Sequence, residues 1–146
     1  MQNVKLTDLI DPEILQQVQD SLSNYIGMAS LIADKNGTPV TTGSNFTEFC
    51  HSLTRQSALG CTRCEECDKQ GALHTLRNGR PAVYHCHAGL VDYAAPIMLD
   101  DIFIGSIIGG QVLTNPLEEE RFRKTARELS IDEDTYVAAA RKVPYR

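Results

Sequence analysis

The residues most able to do chemistry in this sequence are its 5 cysteines, all of which fall between residues 50 and 86. Cys61-Thr62-Arg63-Cys64-Glu65-Glu66-Cys67 reads C-x-x-C-x-x-C. Two-residue spacing lets successive thiolates converge on one metal ion, and such a run joined by a remote cysteine also suits an iron–sulfur cluster. Cys50 and Cys86 are the remote cysteines available. Thiolate donors select zinc or an iron–sulfur cluster over calcium or magnesium, which take oxygen ligands. The candidate metal or redox set is therefore Cys50, Cys61, Cys64, Cys67 and Cys86. Two plainer readings compete with it. Several of these cysteines would serve as small buried hydrophobes, or the set includes a disulfide or a reactive thiol.

A second group of polar residues follows. In Tyr84-His85-Cys86-His87, strand alternation puts Tyr84 and Cys86 on one face and both histidines on the other. On that reading Cys86 and His87 do not serve one centre. Asp92 lies among apolar residues, where a carboxylate is costly unless paired or hydrogen-bonded. Gln111 follows Gly109-Gly110 at the end of an apolar strand, and its amide needs partners if buried. The glycines there do not form G-x-G-x-x-G before a helix, so no dinucleotide site is read; they suggest a bulge or a close approach. No Ser-His-Asp, Cys-His or paired-carboxylate arrangement is identifiable by spacing.

These residues must be positioned by a chain of 146 residues and 16.1 kDa, which suits one domain and buries a core without disulfide staples. The net charge of −5 excludes a general electrostatic grip on nucleic acid. Residues 116–146 carry 7 basic and 7 acidic groups, which reads as a salt-bridging helical surface. Residues 1–9 carry no secretion signal, and the apolar run 102–112 is too short to span a bilayer, so the expected location is cytoplasmic.

Asp11-Pro12-Glu13 starts a helix whose Ile14, Leu15, Val18 and Leu22 predict one buried face. Residues 29–33 and 38–41, joined by Asn36-Gly37, predict a hairpin with Pro39 on an edge. Residues 42–80 read as irregular, with short helices over 49–59 and 65–76 and a stop at Asn78-Gly79. Strands follow over 82–87, 90–99 and 102–112, then helices to 129 and from 132 to 142. This order predicts an α+β fold: a central antiparallel sheet of about five strands flanked by helices. The expected division is an N-terminal helix over 1–27, a sheet core with a cysteine-rich loop over 28–115, and C-terminal helices over 116–146.

Several strings together resemble the PocR sensory domain family: Asn45-Phe46-Thr47-Glu48-Phe49-Cys50, Cys64 with Cys67-Asp68, Tyr84-His85-Cys86-His87-Ala88-Gly89-Leu90-Val91-Asp92, Ala95-Pro96-Ile97, Ile104-Gly105 and Gly109-Gly110-Gln111-Val112. The resemblance covers nearly the whole chain and is most specific from Cys50 to Gln111. It implies a variant PAS-like fold at the N-terminus of bacterial histidine kinases, other signalling proteins and helix-turn-helix regulators. It also implies sensing of small hydrocarbon derivatives such as propanediol. The family's cysteine pattern carries onto Cys50, Cys64 and Cys86, and less clearly onto Cys61 and Cys67.

The resulting expectation is a non-catalytic sensor. Tyr84, His87, Asp92, Tyr93 and Gln111 form its ligand pocket, and the cysteines form a zinc, iron–sulfur or thiol redox centre. The expected partners are a small-molecule ligand and a covalently attached kinase or DNA-binding output domain. This domain itself is expected to touch neither nucleic acid nor membrane, and a homodimer is left open. The competing classes are a thiol oxidoreductase, which requires an exposed low-pKa thiol, and a zinc-stabilised interaction module, which requires a second close ligand pair.

Overall fold

A computed structural model describes residues 3–146. After one short turn, α1 (Leu6–Leu9), the helix α2 (Pro12–Ile26) begins where the sequence predicts. The Asp11 carboxylate accepts the Glu13 N–H at 2.8 Å, Pro12 occupies the first helical position, and Gly27 closes the helix at φ +68°. Then come β1 (Ala29–Asp34), α3 (Ala58–Asn78), β2 (Ala82–His85), β3 (Val91–Leu99), β4 (Ile102–Val112), α4 (Glu119–Leu129) and α5 (Glu133–Arg141). The strands form one antiparallel sheet in the order β1-β4-β3-β2.

The α+β class holds, with four strands where about five are predicted. The difference lies at residues 38–41. The Asn36-Gly37 turn forms, held by Asp34 Oδ1, which accepts the Asn36 and Thr38 N–H groups. Beyond it the second arm pairs only through isolated bridges, Ala33 with Pro39 and Ser30 with Ser44. Pro39 has no N–H to give a ladder, and the Thr41 hydroxyl takes the Ile32 N–H instead.

Two layers cover the sheet. On one face Leu6, Leu15, Ile32 and Ile104 pack together beneath α1 and α2. On the other, α3 seats Ala72 against Ala33, Ala94 and Ile108, small residues that let the helix approach closely. A larger core of Phe49, Leu90, Phe122, Leu129, Tyr136 and Val137 joins α4 and α5 to the sheet's end. The mixed charge of 116–146 appears as exposed pairs such as Arg123–Glu119 and Arg127–Glu133.

Two expectations need correction. In α2 the buried stripe is Leu15, Gln19 and Ser23, while Ile14, Val18 and Leu22 are 53%, 59% and 43% exposed. The helix is turned by its polar residues. Gln19 Nε2 donates to the Thr42 carbonyl at 2.8 Å and to Ser44 Oγ at 2.7 Å, and Ser23 bonds the Met28 carbonyl. Once buried, those groups require such partners, and they outweigh the apolar pattern. Secondly, the cysteine-rich segment is not a loop. Cys61, Cys64 and Cys67 all lie on α3, which starts at Ala58 under a Ser57 cap. Among the described residues, no helix is long and apolar enough to cross a membrane.

Candidate functional site

Four segments meet at one end of the α3 face of the sheet and enclose a cavity of about 30 Å³. The first is the connection into α3. Residues Phe49–Leu53 form a π-helical turn and Thr54–Gln56 a 3₁₀ turn. Such wide turns recur at functional sites because they re-aim side chains. The Thr54 hydroxyl donates to the Phe49 carbonyl at 2.8 Å and shares a 2.9 Å hydrogen bond with Tyr136 of α5. Gly60 makes room for this turn, since a Cβ there would sit 2.0 Å from the Thr54 carbonyl oxygen. The turn aims Arg55 inward. Its guanidinium pairs with Asp68 of α3 at 3.0 Å and lies 5.1 Å above the Phe46 ring.

The second segment is the turn after β2. The strand ends at His85, and Gly89 (φ +92°) closes a turn in which its N–H meets the Cys86 carbonyl. Alternation therefore stops at His85, and Cys86 and His87 both line the cavity. The sequence reading that separated them fails at this turn.

The third is the end of β4. Gly110 (φ +114°) and Gln111 (φ +55°) sit where the β3–β4 register shifts between Val91 and Asp92. A left-handed residue other than glycine costs roughly 1–2 kcal/mol. Here it turns the Gln111 N–H onto Asp92 Oδ1 at 2.9 Å. The Gln111 side chain accepts from the Thr47 N–H at 2.8 Å and from its hydroxyl at 3.2 Å.

The fourth is α3 itself. Three cysteines at three-residue intervals spread around a helix rather than along one line. Cys64 and Cys67 face the cavity with Cys50 and Cys86, while Cys61 turns out to Glu65. Cys64 Sγ lies 3.2 Å from His87 Nε2, and Cys67 Sγ accepts the His87 N–H at 3.4 Å. All five cysteines are free. Among the described residues, no three His, Cys, Asp or Glu side chains are arranged to hold a metal ion. The metal-centre expectation thus gains no support from the donor geometry.

Burial sets the electrostatics. It pushes the Cys50 and Cys64 thiols up to about 12, and raises those of Cys86 and Cys67 as well. Every cavity thiol is therefore neutral at pH 7. Burial also raises Asp92 to about 6, opposed by the Gln111 N–H, and it raises Asp68 against the pull of Arg55. His87 is lowered, first by burial and then by the Arg63 and Arg55 charges. Donor and acceptor in the Cys64–His87 contact follow the imidazole tautomer: with the proton on Nδ1, the Cys64 S–H donates to Nε2. That Nδ1 and the Arg55 Nε are both buried without a partner. The residues around the cavity thus include two buried nitrogens without partners, Arg55 Nε and His87 Nδ1, and the Asp92 carboxyl group. Ligand pockets are built this way, apolar with a few convergent polar groups.

The five expected pocket residues divide accordingly. His87, Asp92 and Gln111 line the cavity. Tyr84 pairs with Asp92 across the sheet, but its buried hydroxyl packs against Gly71 of α3, beside a separate open groove. Tyr93 falls on the opposite face, where its ring covers Gly109. Sequence reasoning missed Phe46, Thr47, Thr54, Arg55 and Asp68. One signal was available for Arg55, the one charged side chain between Glu48 and Arg63.

The model of a family described as "Sensory domain found in PocR" matches residues 8–146. The Regulatory protein PocR of Salmonella typhimurium is 31% identical over 110 residues, which cover 75% of this chain and 36% of that protein. The chain therefore spans about a third of the length of that relative. No solved structure matches it. A match over residues 8–146, with a relative 31% identical across 75% of the chain, shows that this chain belongs to the PocR sensory domain family.

Proposed function

We propose that the chain is the ligand-receiving module of a cytoplasmic bacterial regulator, and that its cavity takes a small, uncharged, hydroxylated hydrocarbon such as a diol. The observation that carries this reading is the set of unmet polar groups. Arg55 Nε and His87 Nδ1 are buried without partners, and the Asp92 carboxylate beside them is held only by the Gln111 N–H. A hydroxyl is both donor and acceptor, so a compound with two of them answers both unpartnered nitrogens and can also donate to Asp92 without adding charge. By the usual measure 30 Å³ holds about two waters, so a diol enters as the cavity opens slightly.

The route out of the cavity is short. Phe49 and Thr54 in its wall touch Tyr136 of α5, with ring centroids 4.4 Å apart for Phe49. Gln111 lies two residues before Leu113, which bonds Pro144 and Arg146 at 2.8 Å and 2.9 Å. A ligand that draws on Asp92 and Arg55 shifts both contacts, and the attached output domain reads the shift. The domain is non-catalytic on this reading. Its raised thiols are the opposite of what a thiol oxidoreductase needs, a low-pKa exposed cysteine.

The test is a thermal-shift series with propane-1,2-diol, propane-1,3-diol and propan-1-ol against the protein and its Arg55→Gln variant. Saturable stabilisation by a diol, weakened in the variant, is expected. No stabilisation by any of them would overturn the reading.

A further inference from the structure

A pocket for a diol does not require a thiol hydrogen-bonded to an imidazole, yet one stands in this cavity wall. Cys64 Sγ and His87 Nε2 are 3.2 Å apart, brought together from α3 and the turn after β2. Resting on the reading that the cavity takes a small oxygenated molecule, we propose that the Cys64–His87 pair captures an aldehyde as a reversible covalent hemithioacetal. The step balances without any oxidant or reductant. The Cys64 sulfur attacks the carbonyl carbon and its proton passes to His87 Nε2. The C=O π electrons move to oxygen, and that oxygen then takes the proton from Nε2. One S–C bond and one O–H bond form, while one S–H bond and the carbonyl π bond are lost.

Three features suit the pair to this task. Arg55 presents a buried, unpartnered Nε–H in the same cavity, and its charge acts on both Cys64 and His87. It is a donor for the alkoxide that develops during addition, the role preorganised N–H groups play at oxyanions. The His87 main-chain N–H bonds Cys67 Sγ, which ties the turn that carries the ring to α3 before any ligand arrives. Burial keeps the thiol protonated, so attack occurs only as His87 Nε2, 3.2 Å away, takes the proton, which confines the reaction to the paired cysteine. Cys61, on the outer side of α3 beside Glu65, has no imidazole and is the built-in control.

The probe is acetaldehyde labelled with ¹³C at the carbonyl carbon, added to the purified protein and followed by NMR. A saturating O,S-acetal resonance is expected, one per chain, in the unaltered protein and in Cys61→Ser, and absent in Cys64→Ser. His87→Gln should slow both formation and decay, because the same proton shuttle serves both directions. A second readout needs no variant. At about ten times its half-saturating concentration acetaldehyde leaves about a tenth of the thiol free, so alkylation of Cys64 by iodoacetamide slows about tenfold while that of Cys61 does not. Ethanol at the same concentration should leave Cys64 alkylation unchanged. Absence of the resonance, its persistence in Cys64→Ser, or equal protection by ethanol would overturn the proposal. If diols still stabilise the protein in that event, only the covalent step falls; if neither diol nor aldehyde binds, the pocket reading falls with it.

Discussion

Replacing Asp92 by Asn tests the electrostatic description of the cavity directly. The Asn carbonyl oxygen still accepts the Gln111 N–H, so the bulge at Gly110-Gln111 keeps its support. What is removed is a carboxylate that burial has raised from 3.8 to about 6. A carboxyl group with a raised folded-state pKa binds its proton more tightly when folded, so it favours folding at low pH. That advantage is lost as the pH rises from about 4 to about 6. By pH 7 the folded state holds an ionised, buried group, and the rise from 3.8 to about 6 corresponds to about 3 kcal/mol. Asp92→Asn should therefore gain about 2 kcal/mol of stability relative to the natural protein between pH 4 and pH 7, a change in melting temperature of roughly 6–8 °C. Urea unfolding of both proteins at half-unit pH intervals measures this, and subtraction removes the contribution of His87. A stability difference that stays constant across the range, or one that falls as pH rises, would refute the argument.

Further predictions concern the walls. Gly60→Ala forces a methyl group onto the Thr54 carbonyl oxygen, so it should cost more than about 1–3 kcal/mol. Gly79→Ala meets nothing within 4 Å and should cost only the left-handed backbone strain, about 1 kcal/mol; chemical denaturation of both separates the two causes. Tyr136→Phe removes the hydrogen bond to Thr54 in a fully buried setting and should cost roughly 1–2 kcal/mol, read the same way. Without ligand, iodoacetamide should modify Cys61 first and Cys50 and Cys86 last, as peptide mass spectrometry would show. Protein purified without oxygen should be colourless and hold well under one zinc or iron per chain, and a chelator should not unfold it.

Much of the scaffold was legible because its signals are local. The Asp11-Pro12 start, the Asn36-Gly37 turn, the Gly79 stop, the Asp132 cap and the three apolar strands depend on neighbouring residues and fold where they point. The errors arose where distant contacts decide. The apolar stripe of α2 lost to Gln19 and Ser23, whose partners lie in residues 28–44. The cysteine segment read as a loop because cysteines on a turn and cysteines on a helix share one sequence spacing. Ser57 and Gly60 settle that matter by starting α3 ahead of Cys61. His87, Asp92 and Gln111 were found because each is a polar residue in an apolar setting. Arg55 and Asp68 stand on a π-helical turn and a helix, where charge looks ordinary until the two meet in the cavity.

The central claim, that this cavity receives a small hydroxylated molecule, is tested most directly by amide NMR during a titration with propane-1,2-diol. Saturating shifts centred on His87, Asp92 and Gln111 are expected, extending to Tyr136 and Leu113 and leaving the open groove at His74 and Val83 unchanged. Shifts confined to that groove, or none that saturate, would contradict it.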